Sequence, residues 1–215
     1  MATPKKKNKI RDYDRTRKRL LEVVGEILKD TGFTGLTTNN IARRLGKDKK
    51  LIRYYFHSLY NLEKEFIMEN DHWLFFFKHR ELPSDLDAAQ LKSLFIEFTS
   101  GHFEFFRESQ EMQKVMLWQL TQKNPLIKSI AECREAEAGR LLNAAEPFIS
   151  SAERFRAVLA LLSGGLYFLA LQGAENKTTT WGIDVNSEQD RALLLETMGQ
   201  LINWAWNRYP GDNIK

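Results

Sequence analysis

The chain has 215 residues, 43% of them hydrophobic, with 32 Lys/Arg against 28 Asp/Glu and a formal net charge of +4. That is enough apolar material for a sizeable core in one large or two small domains. Its single cysteine, Cys133, excludes an intrachain disulfide and suits a reducing cytoplasm.

The net charge hides a division. Residues 1–60 hold 16 Lys/Arg and 6 Asp/Glu, a balance of +10, and residues 61–215 hold 16 and 22, a balance of −6. A basic head on an acidic body concentrates attraction for a polyanion at one end. The N-terminus, MATPKKKNKIRDYDRTRKR, has no apolar stretch after its charges, so no signal peptide is expected. The longest apolar stretch, around Val158 to Leu171, is interrupted by Ser163, Gly164 and Gly165. It is read as a buried helix, and no membrane span is expected.

Residues 1 to 11 read as a basic tail, disordered when free. It is either a solvated terminus or an arm adding phosphate or minor-groove contacts. A first helix is predicted from about Asp12 to Thr31, with Leu20, Val24, Ile27 and Leu28 as its apolar stripe. It stops at Thr31-Gly32, leaving Phe33 and Leu36 to seal a three-helix core.

Residues 37 to 56, TTNNIARRLGKDKKLIRYYF, read as two short helices about a turn at Gly46. Thr37 can cap the first, which puts Ile41, Ala42 and Leu45 on one face. Gly46 sits where a helix ends in a left-handed residue, which glycine adopts at least cost. Asp48 can cap the second, turning Leu51, Ile52, Tyr55 and Phe56 inward and Lys49, Lys50, Arg53 and Tyr54 outward. An apolar inner face with a cationic outer face suits a helix lying in a DNA major groove. The plainer alternative is a helical hairpin whose basic face is merely solvated.

The run LLEVVGEILKDTGFTGLTTNNIARRLGKDKKLIRYYFHSLYNL resembles the N-terminal domain of TetR family transcriptional regulators. Gly32, Phe33, Thr37, Ile41, Ala42, Gly46, Phe56 and Leu62 carry the resemblance, at family spacing over about a fifth of the chain. Three positions depart from the pattern. Lys47 stands where a small apolar residue is usual, Arg53 where Tyr is common, and Leu59 where a phosphate-approaching Lys is common.

Beyond the head the pattern is helical throughout. A fourth helix is predicted from Ser58 or Asn61 to about Arg80, with Leu62, Phe66, Trp73 and Phe77 inward, broken by Leu82-Pro83-Ser84. Further helices are predicted at about Asp87 to Glu108, Glu111 to Gln122, Pro125 to before Pro147, Ala152 to Gln172 and Glu188 to Asn207. No sheet-like alternation of useful length appears. The fold class is all-α, with a basic arm and helix-turn-helix domain (1–57) and a helical ligand-binding and dimerisation domain (58–215).

The resemblance implies a dimeric regulator, most often a repressor, released from a palindromic operator by a small molecule. The DNA-binding candidates are Thr37, Thr38, Lys47, Lys49, Lys50, Arg53, Tyr54 and His57. Arg and Lys pair with guanine edges, and the free N–H groups at the start of the helix after Thr37 can hold a phosphate. The family places its effector pocket among the middle helices. The candidates there are Trp73, Phe77, Phe95, Phe98, His102, Phe105, Trp118 and Tyr167, an aromatic set that suits an apolar or aromatic ligand. Core packing is the alternative for each. The family pairs its two last helices across the dimer. Phe155, Leu159, Leu162, Leu166, Leu194, Met198, Leu201, Ile202 and Ala205 are the interface candidates, unless both helices simply pack inside one chain.

No cofactor and no metal site is expected. His72 and His79 are two helical turns apart, which keeps them from sharing one ion with His102 and with Asp71 or Glu104. No phosphate-binding glycine loop, Gly-x-Ser-x-Gly elbow or His-Glu-x-x-His is present. The chain is therefore expected to be a cytoplasmic regulator, not an enzyme. The alternative is a helical small-molecule-binding protein or enzyme that has lost specific DNA reading.

Overall fold

The computed structural model describes residues 4–78 and 86–208, with side chains from residue 12 onward. These residues form ten α-helices: α1 (Pro4–Thr31), α2 (Thr38–Leu45), α3 (Lys50–Phe56), α4 (Leu59–Asn70), α5 (His72–Lys78), α6 (Ala88–Glu108), α7 (Gln110–Thr121), α8 (Pro125–Ala145), α9 (Ala152–Glu175) and α10 (Glu188–Arg208). Among the described residues the extended pairing is confined to an isolated bridge between Thr180 and Ile183. The all-α class expected from the periodicity is the class observed.

The described chain divides into two compact units. One runs up to Asp71 and includes Gln110–Glu132; the other takes the described residues of His72–Ser109 and those from Cys133 on. In the first, α1 is the central element. Leu20, Val23, Val24, Ile27 and Leu28 are all buried, each removing apolar surface worth roughly 1.5–3 kcal/mol from water. Ile41 of α2 and Leu62, Phe66 and Ile67 of α4 close over this stripe. Gly25 lets α4 come close, since a Cβ there would lie 3.1 Å from the Phe66 ring.

Helix α1 ends where expected, at Thr31, with Gly32 at φ 68°. Its start differs from expectation. Residues 4–11, read as a disordered tail, continue the helix. Pro4 occupies the first helical position, where its missing N–H costs nothing, and no breaker separates it from Asp12.

The core of this unit is also larger than three helices. α7 contributes Met112, Val115, Met116 and Trp118, and the Trp118 indole stacks on Phe33 with centroids 5.3 Å apart and planes 6° from parallel. Lys29 of α1 pairs with Glu111 of α7 at 2.7 Å.

The single fourth helix predicted to reach Arg80 is two helices. α4 stops at Asn70, whose side-chain amide donates to the Phe66 carbonyl at 2.8 Å, a local bond that competes with helix continuation. Buried Asp71 then turns extended, at φ −87° and ψ 118°. Arg80 and the Leu82-Pro83-Ser84 break lie outside the described residues.

Glu63 on α4 is half-buried, and burial pushes its carboxyl up to about 7. The folded state then holds a proton between pH 4.5 and 7 that the unfolded chain releases, so stability falls as pH rises through that window. Glu63→Gln is expected to stabilise the protein at pH 8 by about 1 kcal/mol, after allowance for solvent screening, and to change little at pH 4. Urea unfolding at the two pH values measures both.

In the second unit α6, α9 and α10 pack on one another, and α5 lies on α6. A reciprocal capping box starts α6. The Asp87 carboxylate accepts the Gln90 N–H at 2.8 Å, and the Gln90 side chain accepts the Asp87 N–H at 2.9 Å. Phe95, Phe155 and Trp206, one from each of the three long helices, meet with centroids 5.1–6.0 Å apart and are all buried.

Candidate functional site

Residues 37–57 form the helix-turn-helix with the caps its sequence requires. Thr37 Oγ1 accepts the Asn40 N–H at 3.1 Å and opens α2. Gly46, at φ 68° and ψ 28°, closes it, and the Lys47 N–H returns to the Ala42 carbonyl at 3.2 Å, the pattern of a left-handed helix stop. Asp48 Oδ1 accepts the Lys50 N–H at 2.7 Å and starts α3. Ile52 and Phe56 of α3 are buried, Leu51 and Tyr55 half-buried, and Lys49, Lys50, Arg53 and Tyr54 exposed. Thr37, Thr38, Lys47 and His57 are exposed as well. The eight DNA-binding candidates thus share one surface property, open access to solvent, while the residues between them anchor the helix.

Two residues that brace this surface were missed from the sequence. Tyr13 of α1 packs against Tyr55 and Tyr54, with centroids 4.6 and 6.1 Å away. The Arg17 guanidinium lies over the Phe56 ring at 5.3 Å and pairs with Glu65 of α4. The signal was available: the α1 stripe of Leu20 and Val24, carried back by three and seven residues from Leu20, falls on Arg17 and Tyr13. Arg17 therefore ties α1, α3 and α4 together and fixes the angle at which α3 is presented.

The aromatic candidates fall into separate places. Trp73, Phe98, His102, Phe105 and Tyr167 gather about the ring of His102 or its neighbour His72, and Phe77 joins through Phe98 at 5.2 Å. Phe95 belongs instead to the Phe155–Trp206 core. Trp118 is not part of this group: it is stacked on Phe33 in the first unit, because α7 folds with the head and not with the middle helices. His79 lies outside the described residues, and among the described residues no group of three or more His, Cys, Asp or Glu is arranged to hold a metal.

At the centre of the aromatic group, His102 Nε2 accepts from Trp73 Nε1–H at 3.1 Å and lies 2.7 Å from the Tyr167 hydroxyl. Indole nitrogen can only donate, so Nε2 carries no proton and the neutral ring must carry it on Nδ1. Burial pushes the His102 pKa down to about 3, with His72 and then Arg134 adding repulsion. Nδ1 is buried and has no acceptor among the described residues. Stability that depends on this neutral ring is complete above pH 6.5 and is lost as pH falls from 6.5 toward 3. Nitrogen-15 NMR should therefore find His102 as the Nδ1–H tautomer with no titration between pH 8 and about 4, and His102→Phe should flatten the acid loss of stability.

Searches by sequence find no matching family model and no matching curated protein. Comparison of the folds is informative. A TetR family transcription regulator from Marinobacter aquaeolei VT8 superimposes with a TM-score of 0.57 at 17% identity, over 94% of this chain and 99% of that one. A TetR transcriptional regulator from Agrobacterium tumefaciens gives 0.60 at 14%, over 91% and 95%. NalD, the secondary repressor of the MexAB-OprM multidrug efflux pump in Pseudomonas aeruginosa, gives 0.56 at 14%, over 95% and 100%.

The fold is that of TetR family transcription regulators. Within this TetR fold, five of the nine interface candidates lie in the chain's own core. Phe155, Leu166, Met198, Ile202 and Ala205 are buried inside the single chain, and Leu159, Leu162 and Leu194 are half-buried. Only Leu201, at 42%, is exposed. The outward apolar residues are others: Leu161 at 78% and Phe168 at 55% on α9, Leu193 and Trp204 on α10. Both helices are apolar on more than one side, and periodicity does not say which side the chain's own core takes.

Helix α9, expected to be a buried helix, is long and apolar enough to cross a membrane by length and composition alone, since Ser163, Gly164 and Gly165 scarcely lower its apolar character over 24 residues. Only 17% of its most apolar window is buried within the chain. Among the described residues, nothing outside α9's own neighbouring backbone approaches Gly164 or Gly165 within 4 Å of where a Cβ would stand.

Proposed function

We propose that the protein is a dimeric DNA-binding transcription regulator, a repressor released from a palindromic operator by a small apolar or aromatic molecule. The observation that carries this reading is α3 with its N-cap Lys49: Lys49, Lys50, Arg53 and Tyr54 are exposed while Ile52 and Phe56 lock the helix into the head. Residues 1–57 carry the reading surface, in a unit completed by α4 and α7, and the rest of 58–215 acts as the sensing and pairing body. The departures at Lys47 and Arg53 add cations to the exposed surface, which strengthens attraction to phosphates. NalD, similar in fold, is itself a repressor.

Two copies are needed because a palindrome presents two half-sites about one helical turn apart, which one head cannot read. The open apolar face of α9, with Gly164 and Gly165 unobstructed, and the outward Leu193, Leu201 and Trp204 of α10 support pairing through these helices. Pairing would also cover the stretch of α9 that otherwise resembles a membrane span, consistent with a cytoplasmic protein.

The effector site is the group around His102. Its rings favour a flat apolar molecule, and a neutral Nδ1–H without an acceptor favours a ligand bearing an oxygen or nitrogen acceptor. A charged ligand is disfavoured there, since His102 stays neutral and cannot compensate it. Release follows if the ligand binds more tightly to the conformation whose two α3 helices are off operator spacing. The reading requires no catalytic group and no cofactor.

Selection of binding sites from a random duplex pool at near-physiological salt tests the core of this function. Recovery of a palindrome is the expected result. Recovery of only non-specific, salt-labile complexes would sink it and leave a small-molecule-binding protein without DNA reading.

A further inference from the structure

The loop between α9 and α10 holds a feature that neither the head nor the effector site uses. Trp181 is 100% exposed, at the tip of a tight turn. Thr180 and Ile183 exchange N–H···O bonds of 3.0 Å each, and both central residues are left-handed, Trp181 at φ 53° and Gly182 at φ 82°. This is a two-residue hairpin turn of the kind that Asn-Gly favours. A Trp at its first central position is strained in backbone conformation and recovers nothing by burial.

The turn is braced from below. Val185 is buried against Gly173, where a Cβ would come within 2.3 Å of Val185 Cγ2, so the loop seats only on glycine. The Asn186 side chain donates to the Gly173 carbonyl at 3.2 Å, and the Asp184 N–H donates to Asp190 at 2.9 Å. The indole is therefore held out in water by a stiff support.

We propose that Trp181 is an anchor of the dimer, docking on the N-terminal end of α9 in a second copy of the chain, against the partner's Arg154 and Arg156. The inference rests on the dimeric reading above. The charge order along α9 favours a second copy as the occupant. Arg154 and Arg156, with Glu153, stand at its start, no charged residue occurs from 157 to 174, and Glu175 ends it. A two-fold axis across α9 runs the two copies antiparallel, and this charge order favours it over a parallel pairing, since each cationic end then meets the other's anionic end instead of its own kind. Trp181 follows Glu175 by six residues and is thereby carried to the partner's arginines, both of which are exposed. An indole face beside a guanidinium is a favourable pairing, and Trp and Arg are the residue types that dominate interface energies.

Sedimentation equilibrium on the full chain tests this with Trp181→Ala, Trp181→Asn and the double variant Arg154→Ala/Arg156→Ala. Trp181→Ala is expected to raise the dimer Kd about 10- to 100-fold. Asn suits the turn better than Trp, so Trp181→Asn should raise the unfolding midpoint of dilute, monomeric protein while weakening the dimer equally. Adding Trp181→Ala to the arginine variant should weaken the dimer little further, since the groups act as a pair. A wild-type dimer whose Kd is unmoved by Trp181→Ala overturns the inference and leaves the dimeric reading standing. Full additivity with the arginine variant overturns the docking site. A wild-type chain that is monomeric at every concentration overturns both readings together.

Discussion

Replacing Lys49, Lys50 and Arg53 together by Ala will abolish the preference for operator over random DNA and leave the protein folded. All three side chains are exposed, Lys50 and Arg53 on α3 and Lys49 at its N-cap, apart from the buried Ile52 and Phe56. Surface substitutions of this kind usually change stability by no more than about 0.5 kcal/mol. Loss of a bidentate arginine–guanine contact costs roughly 1–3 kcal/mol of discrimination per site, and each half of a palindrome loses it once. Removal of a lysine from a phosphate weakens all sequences alike and lowers the salt slope by about one per contact. Titrating operator and scrambled duplex at several salt concentrations separates the two effects. An unchanged operator preference would mean that α3 is not the reading helix, whatever its fold.

Arg17→Ala makes a useful companion measurement. Its guanidinium is over Phe56 and against Glu65, behind the reading surface and not on it. Operator affinity should fall by about tenfold, corresponding to ~1–1.5 kcal/mol of lost positioning, with the salt slope nearly unchanged. Loss of one phosphate contact would instead lower that slope.

In the proposed dimer, Leu161→Glu combined with Phe168→Glu is expected to convert dimer to monomer and to eliminate operator binding at concentrations where the wild type is saturated. The two residues are seven apart on α9 and therefore on one face, with relative exposures of 78% and 55% in the single chain. Ionised in water, the new carboxylates cost the monomer little. Placed in an apolar interface four to a dimer, they face a desolvation cost of several kcal/mol, so the dimer Kd should rise about 1,000-fold or more. Sedimentation and circular dichroism on the same sample distinguish loss of pairing from loss of folding. Trp206→Ala should behave in the opposite manner. It removes a side chain locked between Phe95 and Phe155, at about 3–5 kcal/mol of folding stability, and would unfold the body before it touched the interface.

The head was largely legible in the sequence, since its information is local. Thr37, Gly46 and Asp48 act through hydrogen bonds and backbone angles within a few residues of themselves, and the polar or apolar character of residues 49–56 follows a single helical period. The body was legible as helices for the same reason: Asp87, Pro125 and Glu188 mark starts that the structure places within a residue or two. The break at Asp71 escaped because no Gly or Pro announces it. The competing bond from Asn70 and the burial of Asp71 are decided by what packs around them.

The sequence alone therefore determined the all-α class, the helix-turn-helix with its cationic outer face, and the basic head on an acidic body. Tertiary structure decided which apolar face is spent inside the chain. Phe155, Met198 and Ile202 went inward, and Leu161, Phe168 and Trp204 were left outward. It assigned Trp118 to the head, drew His102, Trp73 and Tyr167 into one hydrogen-bonded group, and set Trp181 out in water. The physical reason is common to all of these. A helix apolar on more than one side satisfies its periodicity in several orientations, and only contacts between residues distant in sequence select one.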